Sequence, residues 1–98
     1  MDETLTLIAH VRAKPGQETG LRQVLEGLVA PTRAEAGCSN YDLHPCHTNP
    51  ALFVFYENWK SDAHLEAHGH SAHIQSFRKL ANEILAEPVA LTEWKAIP

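Results

Sequence analysis

Ala51-Leu52-Phe53-Val54-Phe55-Tyr56-Glu57-Asn58-Trp59 is the stretch from which the fold can be read. Phe53, Phe55, Glu57 and Trp59 alternate with Leu52, Val54, Tyr56 and Asn58, so a period of two puts apolar residues on both faces. A strand of that kind belongs in the middle of a sheet, covered on each side. Just upstream, His47-Thr48-Asn49-Pro50 is short and rich in turn-forming residues, which suits a hairpin. Residues 38–46 then become an antiparallel neighbour with Tyr41 and Leu43 on one face. Pro45 has no N–H for a ladder, which assigns this neighbour to the sheet edge.

Working outward, Leu5, Leu7, Ala9, Val11 and Ala13 alternate with Thr4, Thr6, Ile8, His10 and Arg12, a further strand closed by Pro15-Gly16. Leu21, Val24, Leu25, Leu28 and Val29 form one stripe of an amphipathic helix, whose end Pro31 and Gly37 bracket. Ser61-Asp62 caps a second helix. It is expected to break near Gly69-His70-Ser71 and to resume with Ile74, Phe77, Leu80, Ala81, Ile84 and Leu85 at helical spacing. Pro88 stops it, and Val89, Leu91, Glu93, Lys95 and Ile97 mark one face of a last strand. The order βαββαβ defines an α+β, ferredoxin-like domain over residues 1–98, with a four-stranded antiparallel sheet and the helices on one face. The central strands are apolar on both faces, so the uncovered face calls for another surface, most simply an identical subunit. The expectation is a homodimer packed sheet to sheet, a dimeric α/β barrel.

A chain of 98 residues has room for one such core. Its 12 acids against 8 Lys and Arg give a net charge of −4, with no positive footprint for nucleic acid. There is no apolar run of the ~20 residues needed to span a bilayer. The start, MDETLTLIAH, lacks the basic and long apolar regions of an export signal. A cytoplasmic protein with Cys38 and Cys46 as reduced thiols is expected.

The seven histidines are the unusual count, four of them between His64 and His73. A broken helix over a sheet can leave a pocket between the layers. If the aromatic face of residues 51–59 looks at the helices, Glu57 is a carboxylate in apolar surroundings, where ionisation is costly without a partner. His68, His73 or both are the candidate partners, forming an acid–base pair within a cavity lined by Phe53, Phe55, Trp59 and Phe77. Against this stand plainer roles: Glu57 paired with a structural cation, and Trp59 as core packing. His64 and His70 are expected to face solvent, His10 to lie in the subunit interface, and His44 to be exposed. His64 and His68 have i,i+4 spacing, so a metal would need His73, Glu57 or His44 as a third ligand. The HExxH and CxxC motifs are missing, and no metal is assigned. Nothing local marks either cysteine as a nucleophile, and no glycine-rich phosphate loop supports a nucleotide or flavin.

The block Glu57-x-Trp59-x-Ser61-x-Ala63-His64-Leu65-Glu66-Ala67-His68, then Ser71-x-His73 and Phe77, resembles the antibiotic biosynthesis monooxygenase domain, notably its quinol monooxygenase branch. Ile8-Ala9, Pro15-Gly16, Glu35-Ala36-Gly37-Cys38 and Tyr41-Asp42-Leu43-His44 fit the same pattern. The resemblance implies a dimeric ferredoxin-like domain that oxidises a phenolic or quinol-type, quinone-like molecule with O₂ and uses no metal, flavin or haem. The substrate, once deprotonated, serves as its own reductant. Trp59 matches the pocket tryptophan of the aromatic-polyketide oxygenases, but Phe55 and Leu65 replace their Asn and Tyr. Val11 and Lys79 stand where haem-degrading relatives need Asn and His. Two other readings use the same pocket: an isomerase of a small hydroxyketone, and a non-catalytic binding module whose interior would be packed shut.

Overall fold

The structure, a computed structural model, describes residues 3–98. Its elements are β1 (Leu5–Arg12), α1 (Glu18–Arg33), β2 (Cys38–Pro45), β3 (Leu52–Trp59), α2 (Asp62–Gly69), α3 (Ala72–Ile84) and β4 (Ala90–Trp94). All neighbouring strands are antiparallel and lie in the order β2-β3-β1-β4. This is the ferredoxin-like arrangement, with β3 and β1 inside and β2 at an edge, as the apolar patterning and Pro45 require.

The β1–β3 register places Leu5 opposite Trp59, Leu7 opposite Glu57, Ala9 opposite Phe55 and Val11 opposite Phe53. All eight side chains are buried on the face toward the helices. Against them α1 lays Leu21, Leu25, Leu28 and Thr32. Leu21 and Leu25 are fully buried, which stabilises the fold by roughly 1.5–3 kcal/mol for each relative to exposure. Helix α1 ends at Arg33, between Pro31 and Gly37 as expected, with Pro31 exposed in its last turn. So close to a helix end the missing proline N–H removes one hydrogen bond, while buried Thr32 still packs inward and Ala34 N–H reaches the Ala30 carbonyl.

The second helix divides as expected into α2 and α3. Ser61 caps α2 by accepting from the His64 N–H, and Ser71 caps α3 by accepting from the Ile74 N–H. β4 is shorter than its alternation suggests: it stops at Trp94, opposite Thr6, and Ile97 is 95% exposed. Every residue of β4 is exposed, because the helices pack most closely on β2 and β3 and leave this edge open. That asymmetry creates the mouth of the cavity described next.

Gly37 has a specific steric duty. A Cβ there would run into the Cβ and ring of His64, so only glycine lets the α1–β2 turn and the start of α2 approach this closely. Gly37→Ala is expected to cost about 2 kcal/mol. A thermal melt should show the midpoint falling by roughly 10 °C.

Candidate active site

Between the sheet and the helices lies a cleft of about 740 Å³. Its walls are apolar, including Leu7 and Val11 from β1, Leu25 from α1, Phe55 from β3, and Ile74 and Phe77 from α3. Exposed Arg78, Asn82, Glu87 and Glu93 ring the open side. Three buried polar side chains also line it: Tyr41, Glu57 and His68. An interior packed shut, the mark of a binding module without chemistry, is not what the chain builds.

Glu57 is 2% exposed and accepts a hydrogen bond from the Trp59 indole N–H at 2.9 Å. Burial raises its carboxyl from 4.5 to about 7, helped by the nearby negative charge of Glu35 and opposed by the indole donor. Tyr41 stacks on Phe55 with ring centroids 4.4 Å apart and meets the His68 ring edge-on at 5.6 Å. Burial, with Glu57 nearby, pushes the Tyr41 hydroxyl well above its ordinary range, so it remains a protonated donor.

His68 is where the expected pairing changes. Its partner is Glu35, not Glu57: His68 Nδ1 lies 2.7 Å from Glu35 Oε2, and His73 Nε2 lies 2.9 Å from the same oxygen. Glu35 sits in the turn between α1 and β2. Its N–H reaches the Thr32 carbonyl, and its carbonyl accepts from the Cys38 N–H. The Gly37–His64 approach seats α2 against this turn, and His68 follows one helical turn later. The helix break does the rest. On a continuous helix two residues five apart would point about 140° away from each other. At Ser71 the chain changes direction, with Ser71 Oγ donating to the His68 carbonyl at 2.7 Å, and both imidazoles converge on one carboxylate oxygen.

A carboxylate can only accept, so His68 donates through Nδ1–H and its Nε2 carries the lone pair. With Nδ1 turned to Glu35, Nε2 is the nitrogen left for the cleft. Burial lowers the affinity of the ring for a second proton, and the hydrogen bond and charge of Glu35 offset part of that. The result is an imidazole with its proton on Nδ1 in the same cleft lining as a carboxyl that titrates near 7.

Other expected site residues fall elsewhere. Phe77 and Phe55 line the cleft, but Trp59 is fully buried and outside its lining, holding Glu57 and lying tilted with its ring 4.6 Å from that of His68. The plainer reading of Trp59 as packing is therefore half the answer. Phe53 faces a separate groove with Arg22, Glu26 and Arg33, because it lies one alternation further along β3 beneath the middle of α1. His73 reaches Glu35 and Ser71 rather than the cleft. His10, His44 and His70 are exposed, whereas His64 is half-buried and bonded to Ser61 Oγ at 2.8 Å. The Cys38 thiol is pushed up by burial and by Glu35 and Glu57, the opposite of what a thiolate nucleophile needs. Both cysteines are free.

Fold and site together define a ferredoxin-like domain with an apolar cleft lined in part by the buried polar side chains of Tyr41, Glu57 and His68. The sequence model described as antibiotic biosynthesis monooxygenase matches residues 4–80, and the chain belongs to that family. It is 35% identical over 92 residues to the Mycobacterium tuberculosis protein named "Putative monooxygenase Rv0793", covering 94% of this chain and 90% of that one. It is 31% identical over 83 residues to "Probable quinol monooxygenase YgiN" of Escherichia coli, covering 74% of this chain and 80% of that one. The crystal structure of PA3566 from Pseudomonas aeruginosa superposes with a TM-score of 0.95 at 39% identity, over 100% of this chain and 98% of that one.

Proposed function

We propose that the protein is a monooxygenase that oxidises a phenolic or quinol-type molecule with O₂, the substrate's own anion serving as reductant. The observation that carries this is the presence, in the lining of one apolar cleft, of both His68, held by Glu35, and the buried carboxyl of Glu57. The phenolic hydroxyl lies beside His68, where Nε2 takes its proton and Glu35 steadies the imidazolium that forms. The anion transfers one electron to O₂. The resulting radical pair, held in the cleft, combines at a hydrogen-bearing ring carbon ortho or para to the oxygen and forms a C–O bond. Glu57 protonates the terminal peroxide oxygen as the O–O bond breaks. The ring C–H proton and the proton on His68 then account for the remaining transfers. One phenol and one O₂ become one quinone and one water. Apolar walls suit this chemistry because they keep bulk water from the anion and the radical pair.

The name of the YgiN relative and the family itself support the reaction class. We also assign a homodimer through the open sheet face, where Tyr56 and Trp94 stand 43% and 55% exposed beside Ile8 and Val54. A cytoplasmic setting accords with the two free thiols. Among the described residues no helix is long and apolar enough to cross a membrane.

An oxygen electrode gives the direct test, with two-ring phenols and quinols supplied in turn. Protein-dependent O₂ uptake with quinone formation is expected for at least one, lost in His68→Asn. Turnover of a hydroxyketone under nitrogen, without uptake from any phenol, would replace this reading by the isomerase.

A further inference from the structure

The convergence of two imidazoles on one carboxylate has a second chemical meaning. Nδ1 of His68, Nε2 of His73 and a carboxylate oxygen of Glu35 all lie within 4.8 Å of one another. Two histidines and one carboxylate are a donor set of the kind that holds Zn²⁺ and its neighbours in the first transition series. The three side chains come from three different elements: the α1–β2 turn, the end of α2 and the first turn of α3. None of the convergence is therefore the accident of one helix face. Ser71 Oγ lies 3.3 Å from His73 Nε2 and is held by the His68 carbonyl and the Ile74 N–H, so the fourth position is left to water.

We propose that Glu35, His68 and His73 form a binding site for one divalent transition-metal ion of the zinc class, and that its occupancy withdraws His68 from proton transfer. The two imidazole nitrogens, up to 4.8 Å apart, close by up to about 1.5 Å on an ion, a movement that rotation of the His73 side chain on the exposed side of the site supplies. Around an ion with ligand distances of ~2.0–2.1 Å, donors of a tetrahedron stand about 3.3 Å apart. The two N···O separations are 2.7 and 2.9 Å, so each opens by about half an ångström as a proton is exchanged for the ion. The side chains of Glu35, His68 and His73 are 19%, 9% and 20% exposed, partly shielded yet reachable from the surface.

The position also excludes a direct part in oxidation. Glu35 and His73 are not among the residues that line the cleft, so the ion sits behind the cavity wall, with His68 between it and any substrate. Its effect passes through the imidazole. A metal on Nδ1 displaces the proton there, and the neutral ring must then carry its proton on Nε2. The nitrogen that faces the cleft changes from acceptor to donor, and the base is lost. Binding is independent of the oxygenase reading; the silencing rests on it.

Untagged protein titrated with Co²⁺ should develop visible absorption bands that saturate at one ion per chain and are bleached by Zn²⁺. His73→Asn and Glu35→Gln should each weaken binding at least about tenfold, a difference of 1.4 kcal/mol, whereas His44→Asn should not. Because those variants could also disturb folding, long-range ¹H–¹⁵N spectra of the unaltered protein give a second reading. Zn²⁺ should move the His68 Nδ1 and His73 Nε2 signals and place the His68 proton on Nε2. No saturable binding, or shifts confined to other histidines, would overturn the site. If one ion binds and O₂ uptake continues unchanged on a phenol the protein turns over, the silencing is wrong and the site stands.

Discussion

Glu57→Gln is expected to stabilise the protein against heat at pH 8 far more than at pH 4.5, relative to the unaltered chain. The sign follows from the direction of the carboxyl shift. In the unfolded chain this group titrates near 4.5, and in the folded one near 7. A proton is thus bound more tightly in the folded state, and stability is greatest below pH 4.5. Between the two values the unfolded chain loses the proton while the folded chain keeps it, so stability falls steadily as pH rises, and above about 7 the penalty is constant. A displacement of this size corresponds to about 3 kcal/mol. Glutamine keeps the shape and a carbonyl oxygen for the Trp59 indole, but has no charge to bury. Melts of both proteins from pH 4.5 to 8.5 should therefore diverge through this window, by more than 10 °C at its upper end. Curves that remain parallel would mean that Glu57 titrates as an ordinary carboxylate, and the acid assigned to the cleft would be lost with it.

Much of this fold is written locally. Alternation on β1 and β3 and the spacing of Leu21, Val24, Leu25 and Leu28 are consequences of burial on one or two faces, and burial is what the chain obeys. Where no layer covers an element, the pattern loses its authority. Val89 to Ile97 alternates well, yet β4 holds only Ala90–Trp94 because nothing packs over that edge. Pro31 marks the end of α1 only to within a turn, because proline forbids one hydrogen bond and not the packing of Thr32 on the next position.

The site divides along the same line. That Glu57 is buried among aromatic rings follows from its place on β3, since residues two apart share a face. That His68 bonds to Glu35 does not follow from any local rule, because 33 residues separate them and the contact depends on how closely a turn and a helix approach. A usable signal was nevertheless present. Glu35-Ala36-Gly37-Cys38 belongs to the family pattern, and a glycine with an acid two residues before it marks a point of close approach that brings a carboxylate with it. The break at Ser71 was visible as well, but its consequence, two imidazoles turned to one oxygen, is set by the angle between α2 and α3.

On any phenol that the protein oxidises, Glu35→Gln should lower kcat by 10²–10⁴-fold while KM changes little, and His68→Asn should do at least as much. A general base supplies about this factor, and it does so only with its lone pair toward the substrate. Glu35 touches no substrate in this scheme; it is a positioning residue, fixing the His68 proton on Nδ1 and stabilising the imidazolium. An amide in its place can turn its NH₂ toward Nδ1, which drives the ring proton to Nε2, where it blocks proton abstraction. That tautomer change is readable in the imidazole ¹⁵N shifts of Glu35→Gln without any substrate, and a merely structural role would not produce it. Glu35→Asp restores an acceptor-only group on a shorter stem, so it should recover part of kcat and return the proton to Nδ1. The unaltered protein should also lose kcat as pH rises through about 7, where Glu57 ceases to be an acid. Glu57→Gln, which keeps an uncharged N–H donor, should show lower activity with that limb removed. If Glu35→Gln retained full kcat with the His68 proton still on Nδ1, the tautomer would be held by something other than Glu35, and the base would have to be sought at another side chain of the cleft.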